Sequence, residues 1–323
     1  MPDTLIPTTR TGSVAEDSGP RPVMVAIAGD SAAGKTTLTA GLVEALGSDR
    51  VTGVCVDDYH RYDREERKSL PFTPLHPECN YIEIMEQHLN LLATGQPILK
   101  PVYDHATGTF GRQERIEPRE FVIIEGLLPL HSEMARACFD VTVYLDPPEE
   151  IRRQWKVRRD TSKRGYSPEQ VLAELERREP ESAAYIRPQR SDADIVVRFH
   201  PADGADPGDS LSATLLLRPT IPHPDLSAVL ADDTRLALHL SLMRDEDGKP
   251  VDALYIDSRA PREMSRKVEK HIWSGLEVTG DLPSTLGQIE PGQRSEPLAL
   301  SELILLFHML QAQSAATSDV ARA

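Results

Sequence analysis

Cysteine is scarce in this chain. Cys55, Cys79 and Cys138 are the only cysteines in 323 residues, and none belongs to a Cys-x-x-Cys pair. An odd number without framework spacing argues against a disulfide scaffold and favours a reducing compartment. The pattern does not indicate a structural zinc site either. We therefore expect a cytoplasmic protein.

Long apolar runs and excess positive charge are also missing. No run approaches the roughly 20 apolar residues that a membrane helix needs, and residues 1–21 lack the apolar core of a secretory signal. We predict that residues 1–21 are a mostly disordered leader. The formal net charge of −15 disfavours general binding to nucleic acid. We expect no membrane and no nucleic-acid partner, and an anionic substrate would need a local basic pocket.

Short apolar runs alternate with segments of helical spacing along residues 22–200. This alternation predicts an α/β fold, with a parallel sheet flanked by helices. The predicted strands are 24–29, 51–56, 121–124, 141–145 and 195–199, and the predicted helices are 36–46, 81–92, 149–163 and 168–178.

The strongest motif follows the first predicted strand. Residues 29–36 read GDSAAGKT, which matches G-x-x-x-x-G-K-[ST] at every fixed position and opens a predicted helix. Such a loop turns its backbone N–H groups onto phosphate oxygens. Its lysine reaches the β- and γ-phosphates, and the following threonine binds Mg²⁺. The alternative is a chance glycine-rich turn. The predicted ATP-binding residues are Gly29, Asp30, Ser31, Ala32, Ala33, Gly34, Lys35, Thr36 and Thr37.

Acidic residues follow two other predicted strands. Glu125 ends the apolar run at 121–124, and with Thr36 it is the predicted Mg²⁺ site. Asp57 and Asp58 follow the second strand, where the carboxyl end of a parallel strand faces the ligand crevice. A carboxylate there suits the base that takes a hydroxyl proton during phosphoryl transfer. The alternatives are that Glu125 caps a helix or forms an ion pair, and that Asp57 and Asp58 bind Mg²⁺ or cap a helix.

Cations cluster on the acceptor side of the predicted site. His60 and Arg64, just beyond the acidic pair, are placed to clamp a phosphate on the acceptor. Residues 152–164 hold seven cations, interrupted only by Asp160 among the acids. Lys156, Arg159 and Lys163 share one helical face, so this helix is predicted to fold over the phosphates. A solvated helix face is the alternative.

The composition changes after residue 200. Residues 201–224 are rich in proline, aspartate, glycine and serine, apart from a strand-like stretch at 213–218, and further strands are predicted at 236–243 and 253–256 before a closing helix at 298–313. We predict a P-loop kinase domain at 22–200 and a smaller C-terminal α+β appendage, whose role we leave open, at 201–323.

Several segments together resemble the phosphoribulokinase family, within the wider uridine kinase and pantothenate kinase group. They are GDSAAGKT at 29–36, CVDDYHRYDREERK at 55–68, KPVYDHATG at 100–108, IIEGL at 123–127 and WKVRRDTSKRGYS at 155–167. The resemblance covers roughly residues 23–197. It implies ATP- and Mg²⁺-dependent phosphorylation of D-ribulose 5-phosphate at the 1-hydroxyl, giving ribulose 1,5-bisphosphate. Separately, we expect a homo-oligomer, most simply a dimer.

The resemblance also implies a role for each matching residue. Asp57 is then the catalytic base, and Arg159, with Lys35, acts near the transferred phosphoryl group. The residues implied to bind or align the sugar phosphate, or to lie beside it, are His60, Arg64, Tyr103, His105, Lys156 and Arg164. Plant-type members carry a thiol inside the P-loop, where this chain has Ala33. Cys55 matches only the second thiol of that pair, so we expect no intramolecular redox switch.

Two other functions stay open at this point. One is a kinase of the same fold that acts on uridine, another nucleoside or another small metabolite. The other is a nucleotide-binding regulator without catalytic activity, against which the presence of Lys35, Thr36, Asp57 and Glu125 argues.

Overall fold

The computed structural model describes residues 20–202, 210–231, 237–276, 280–290 and 292–322. The strands are β1 (Val23–Gly29), β2 (Val51–Cys55), β3 (Ile98–Lys100), β4 (Tyr103–Asp104), β5 (Thr109–Phe110), β6 (Glu114–Ile116), β7 (Phe121–Gly126), β8 (Val141–Leu145), β9 (Ile195–Pro201), β10 (Leu211–Leu217), β11 (Leu238–Arg244), β12 (Pro250–Ile256), β13 (Gln288–Glu290) and β14 (Gln293–Arg294). The helices are α1 (Lys35–Leu46), α2 (Ile82–Ala93), α3 (Glu133–Arg136), α4 (Glu149–Arg164), α5 (Pro168–Glu181), α6 (Ser227–Ala231), α7 (Arg262–Ser274) and α8 (Glu296–Arg322).

Eight strands form one sheet in the order β11-β12-β10-β9-β8-β1-β7-β2. The strands from β2 to β9 in that order run parallel, while β10, β12 and β11 are antiparallel to their neighbours. Every residue of β1 is buried, as expected for a central strand covered on both faces. Its side chains alternate, with Val23, Val25 and Ile27 in the core beneath α1 and Met24 in the core beneath α2. The predicted α/β fold is confirmed.

The sheet continues through the predicted domain boundary. Residue 200 lies within β9, and β9 pairs along its whole length with β10. The C-terminal strands and helices are of the predicted α+β kind, and they enlarge the same sheet and the same core cluster. The division of the chain into a kinase domain and a C-terminal appendage near residue 200 therefore stays a prediction.

The last helix is a core helix. A stretch of α8, Glu296–Ser318, has the length and mean hydropathy of a membrane helix, although polar residues interrupt its apolar ones. Of its most apolar 18 residues, 67% are buried inside the protein. Leu303, Ile304 and Leu306 are fully buried in the cluster that also contains α1 and β1 side chains. Packing against the sheet accounts for the apolar composition of this helix.

Several observed elements begin or end at residues other than the predicted ones. Residues 1–19 of the predicted leader lie outside the described residues, and Arg21 pairs with Asp140 at 2.6 Å. The strand predicted at 236–243 is observed from Leu238, and Leu236 lies outside the described residues. Helix α5 runs to Glu181 rather than Arg178, because Pro180 is accommodated in its last turn and a π-helical turn, Ser182–Ile186, follows.

A carboxylate is buried between α8 and α1. Glu302 is fully buried, accepts a hydrogen bond from the Gly287 N–H at 2.7 Å, and leaves its Oε1 atom without a partner among the described residues. A Cβ on Gly41 would collide with this carboxylate, so a larger residue there would displace the Glu302 side chain. Burial raises the pKa of Glu302 to about 7, although Gly287 and Arg294 favour the ionised form.

This raised pKa predicts pH-dependent stability. The folded chain holds the Glu302 proton up to about pH 7, whereas the unfolded chain releases it near its ordinary value of 4.5. The free energy of unfolding should therefore fall as pH rises from 4.5 to 7. Glu302→Gln should remove about 2–3 kcal/mol of this decline. Denaturant unfolding at pH 5 and pH 8 measures it. The exposed variant Glu263→Gln is the control, and parallel profiles for wild type and Glu302→Gln would refute the assignment.

Candidate active site

The loop between β1 and α1 has the backbone of a phosphate cradle. Gly29 has a φ of +150°, and a Cβ there would lie 2.8 Å from the Leu145 carbonyl oxygen. Gly34 has a φ of +98° and precedes the first turn of α1. Both conformations favour glycine. The two glycines of the motif therefore stand at the positions where the loop backbone requires them. The loop residues 29–37 thus stand at the positive end of α1, as predicted.

Lys35 is the first residue of α1, directly after this loop. Its ammonium donates to the carbonyl oxygens of Gly29 at 2.8 Å and Asp30 at 2.9 Å. Burial lowers the pKa of Lys35, while the carboxylates of Asp57, Asp30 and Glu125 oppose that shift. The ammonium is therefore close to the carboxylates predicted for the site and rests where the phosphates of a nucleotide are expected.

Asp57 stands at the end of β2, in the 3-10 turn Val56–Tyr59. Its side chain is 27% exposed, and its Oδ2 atom lies 3.6 Å from Nε2 of His105. Burial alone would raise the pKa of Asp57, but nearby positive charge at His60, His105 and Lys35 outweighs it and lowers the pKa. Asp57 is therefore an ionised carboxylate beside the P-loop lysine, with an open side from which to accept a proton.

The neighbouring acid, Asp58, has a structural role. Asp58 forms an ion pair with Lys100 and accepts a hydrogen bond from the Tyr103 N–H at 2.9 Å. Both Lys100 and Tyr103 are buried. Asp58 thus anchors the segment that carries Tyr103, and of the acidic pair only Asp57 takes the place predicted for a base. Lys100, which is not among the predicted site residues, separates the two roles.

Glu125 lies at the end of β7, between the strands that carry the P-loop and Asp57. It pairs in register with Ile27 of β1 and Cys55 of β2. Thr39 donates to its Oε2 atom at 3.2 Å, and Thr36 also hydrogen-bonds to it. Burial raises the pKa of Glu125, and the charge of Lys35 opposes the shift.

These residues fit a magnesium ion. Mg²⁺ takes oxygen ligands and in nucleotide sites uses one or two protein groups together with phosphate oxygens and water. The Thr36 hydroxyl and the Glu125 carboxylate are within hydrogen-bonding reach of each other. One hydroxyl and one carboxylate at the mouth of the P-loop match that donor set.

The basic helix α4 closes on the tip of the P-loop. Lys156 and Arg159 each lie 3.4 Å from the Ser31 hydroxyl, and Arg152 donates to the Ser31 carbonyl at 3.2 Å. Arg152 and Lys156 are buried, so this face is not a solvated one. Burial, with the nearby charge of Arg178, lowers the pKa of Lys156 to about 8.

Asp160 groups the cations of this helix. Its carboxylate lies 2.9 Å from Lys156, 2.8 Å from Arg159 and 3.6 Å from Arg164. The predicted stripe of Lys156, Arg159 and Lys163 is thus only partly assembled, since Lys163 is exposed. In the sequence, Asp160 only interrupts the basic run. Its position one turn after Lys156 and next to Arg159 was the available signal.

The remaining predicted residues meet on the β4–β5 hairpin. The ring of His60 contacts Tyr103 edge-on with centroids 4.9 Å apart, and Tyr103 contacts His105 at 5.1 Å. Arg64 donates to the carbonyls of His105 and Ala106. Arg67, which was not predicted, stacks its guanidinium 4.9 Å from the Tyr103 ring centre. His60, Arg64, Tyr103 and His105 therefore form one group beside Asp57.

His60 is held in a fixed orientation. It is buried, and its Nδ1 atom hydrogen-bonds with Oδ1 of Asn80 at 2.8 Å. Burial lowers the pKa of His60, and the charge of Asp57 opposes the shift. His60 is therefore an oriented hydrogen-bonding group whose charge is coupled to that of Asp57.

Cys55 is a free thiol at the end of β2. Burial raises its pKa well above the ordinary value, which disfavours the thiolate that forms disulfides. The P-loop position that is a thiol in the plant-type pattern is the buried Ala33. The expected lack of an intramolecular redox switch stays a prediction, with these contacts in its favour.

The mostly parallel sheet, the P-loop and the carboxylates at adjacent strand ends define a P-loop kinase fold. A family model described as "Phosphoribulokinase / Uridine kinase family" matches residues 24–204, more than half of the chain. The chain belongs to this family.

Relatives and solved structures agree with this assignment. The chain is 41% identical over 181 residues to the phosphoribulokinase of Synechocystis, covering 56% of this chain and 54% of the relative. It is 30% identical over 192 residues to a uridine kinase of Chloroflexus aurantiacus, covering 58% of this chain and 90% of that relative. The chain spans about half the length of the curated phosphoribulokinases that it matches.

A solved phosphoribulokinase from Rhodobacter sphaeroides shares the fold. It superposes with a TM-score of 0.55 at 17% sequence identity and covers 78% of this chain and 95% of its own. At that identity, the likeness establishes the architecture.

Proposed function

We propose that this protein is a phosphotransferase that moves the γ-phosphoryl group of ATP to the 1-hydroxyl of D-ribulose 5-phosphate, giving ribulose 1,5-bisphosphate and ADP. The observation that carries the proposal is the position of Asp57. Its half-buried, ionised carboxylate shares a charge cluster with Lys35 and Glu125 and lies 3.6 Å from His105. The 41% identity to a phosphoribulokinase supports the choice of acceptor.

The P-loop and Lys35 form the proposed binding site for the triphosphate of ATP. The triphosphate binds the N–H groups of residues 29–37 and the positive end of α1. Lys35 leaves the carbonyls of Gly29 and Asp30 and donates to the β- and γ-phosphates instead. Thr36 and Glu125 would hold Mg²⁺, which neutralises phosphate charge when it is bound. Arg159, on the helix that closes over Ser31, stabilises charge on the transferred group.

The acceptor side supplies the base. The 1-hydroxyl oxygen forms a bond to the γ-phosphorus while the bond from that phosphorus to the β–γ bridging oxygen of ATP breaks. The hydroxyl proton passes to the Asp57 carboxylate, and ADP leaves with the electron pair of the broken bond. The low pKa of Asp57 keeps it ionised at neutral pH and so ready to accept that proton.

The 5-phosphate needs cations that can turn toward it. Arg64 presently donates to carbonyls of the exposed hairpin, where a phosphate can replace them. Lys156 and Arg164 are held by Asp160 on α4. His60, Tyr103 and His105 lie beside Asp57 and would orient the sugar.

One observation favours a second candidate, a nucleoside kinase. The chain covers 90% of a uridine kinase at 30% identity, whereas it covers 54% of a phosphoribulokinase. A nucleoside carries no phosphate for Arg64 and Arg164 to bind. The two candidates therefore differ in what those arginines contribute.

An acceptor panel separates the candidates. Initial rates of ADP release are measured with ATP and Mg²⁺ for ribulose 5-phosphate, unphosphorylated ribulose, uridine and no acceptor. We expect ribulose 5-phosphate to give kcat/KM at least about 100-fold above ribulose, because charge-assisted phosphate contacts contribute about 1.5–3 kcal/mol each. Arg164→Gln should narrow that gap without changing the rate with ribulose.

A preference for uridine would replace the proposal with the nucleoside kinase. Tight ATP binding without transfer to any acceptor would favour a regulator. We also propose a cytoplasmic homodimer, since the relatives and the cysteine pattern are compatible with that location. Light scattering of the purified protein measures the oligomeric state.

A further inference from the structure

One short segment contacts both halves of the site. Residues 181–186, which we call the linking turn, comprise the last residue of α5 and the π-helical turn Ser182–Ile186. π-turns are rare and cost backbone hydrogen-bond geometry, and they recur at functional sites. Adjacent side chains of the linking turn point to different halves of the site.

Ser182 holds the nucleotide side. Its hydroxyl donates to Oδ2 of Asp30, and both residues are buried. The other oxygen of Asp30 accepts from the Ser31 N–H at 2.6 Å. The Asp30 carbonyl in turn accepts from Lys35 at 2.9 Å and from the Ala33 N–H at 3.1 Å. Ser182 therefore fixes Asp30, whose backbone shapes the loop that binds the phosphates.

Glu181 holds the acceptor side. Its carboxylate accepts from the N–H of Thr73 at 2.9 Å and also from the Thr73 hydroxyl. Thr73 is 3% exposed and begins the loop that leads to Asn80.

That loop is folded around Asn80. The Asn80 amide nitrogen donates to the carbonyls of Pro74 at 3.1 Å and His76 at 3.0 Å. Its oxygen bonds to Nδ1 of His60 at 2.8 Å. The His76 N–H donates in turn to the Thr73 carbonyl at 3.0 Å. A line of hydrogen bonds thus runs from Glu181 to Thr73, through the His76 backbone to Asn80, and on to His60.

A second contact strengthens the acceptor branch. Nδ1 of His76 accepts from the Glu78 N–H at 3.1 Å, which leaves the ring proton of the neutral imidazole on Nε2. Nε2 lies 3.0 Å from the Tyr185 hydroxyl oxygen, so His76 donates to the linking turn. The acceptor-side loop is therefore tied at Thr73 and again at His76.

We propose that the linking turn sets the two subsites of the kinase independently. Ser182 is a positioning residue for ATP, acting through Asp30, and Thr73 is a positioning residue for the acceptor, acting through the bond to Glu181. This inference rests on the proposed function for the identity of the acceptor. The assignment of Ser182 to the nucleotide rests only on the P-loop contacts.

Two variants should show opposite signatures. Ser182→Ala leaves the buried Asp30 oxygen without its donor and should raise KM for ATP about tenfold, with KM for ribulose 5-phosphate within about twofold of wild type. Thr73→Val keeps the side-chain shape but removes the hydroxyl. It should raise KM for ribulose 5-phosphate by a similar factor while KM for ATP stays within about twofold. Ser191→Ala, which removes an exposed hydroxyl bonded to Pro188, is the matched control and should change neither constant.

Calorimetric titration with a non-hydrolysable ATP analogue measures the effect of Ser182 on nucleotide affinity without any contribution from catalysis. Ser182→Ala should weaken analogue binding about tenfold, and should weaken it little further in an Asp30→Ala background, because the effect passes through Asp30. Equal changes in both KM values, a change in kcat alone, or analogue affinity within twofold of wild type would overturn the inference. Weakened analogue binding in a protein that does not phosphorylate ribulose 5-phosphate would support the Ser182 assignment while refuting the proposed function.

Discussion

Asp57→Asn is expected to lower kcat with ribulose 5-phosphate about 10³-fold, within the range of about 10²–10⁴ that a positioned base contributes. Asparagine keeps the shape of the side chain but cannot accept a proton from the acceptor hydroxyl. Affinity for a non-hydrolysable ATP analogue should stay within about threefold, because the P-loop contacts do not involve the Asp57 side chain. Steady-state kinetics and calorimetric titration measure the two effects.

Asp63→Asn is the matched control for this variant. Asp63 lies on the same segment and accepts from the exposed Glu66 N–H at 2.8 Å, away from Lys35. It should leave kcat within about twofold, as surface changes usually do. If Asp57→Asn kept most of the rate, or lost nucleotide binding instead of turnover, Asp57 would not be the base.

Lys35→Met is expected to lower kcat/KM for ATP about 10²–10³-fold. Methionine preserves the apolar stem but removes the only charge that neutralises the phosphates from within the loop. Both ATP affinity and kcat should fall, since lysine contacts the phosphates in the ground state and in the transition state. Steady-state kinetics with ATP varied at saturating acceptor measures both constants.

Stability should respond differently from activity in this variant. Burial already lowers the pKa of Lys35, which shows that the charged form is held at a cost in desolvation. Thermal unfolding of Lys35→Met should therefore occur at or slightly above the wild-type temperature. Lys68→Met, at an exposed lysine paired with Glu65, is the control. An unfolded variant, or one with unchanged kcat/KM for ATP, would contradict the role given to Lys35.

The central sheet could be predicted well from the sequence. The runs at 24–29 and 121–124 are continuously apolar, and the run at 141–145 is apolar except for Thr142, because parallel strands are covered on both faces. Each ends in a glycine or an acid, so the order of strands placed Gly29 and Glu125 at one edge of the sheet. The glycines at 29 and 34 marked the P-loop through the backbone angles that they permit.

Side-chain roles depend on contacts between distant residues and were harder to predict. Asp57 and Asp58 are adjacent and chemically identical, and only the approach of Lys100 shows which one is anchored. Asp160 interrupts a basic run in the sequence but groups three cations in space. Ser182 carries no motif at all, and its contact with Asp30 spans 152 residues of chain.

The C-terminal strands illustrate another limit. Their alternating patterns predict short strands. The sequence of each strand does not show which sheet the strand joins. Pairing of β10 with β9 decides it, through contacts such as Leu215 with Val197. The burial of α8 against β1 likewise follows from long-range packing rather than from helix propensity.

The most direct test is a crystal structure with a non-hydrolysable ATP analogue, Mg²⁺ and ribulose 5-phosphate bound together. We expect one Asp57 carboxylate oxygen within about 2.6–3.2 Å of the 1-hydroxyl, and that hydroxyl in line with the γ-phosphorus. An acceptor bound with its hydroxyl toward another residue, or Asp57 facing away from the nucleotide, would contradict the account.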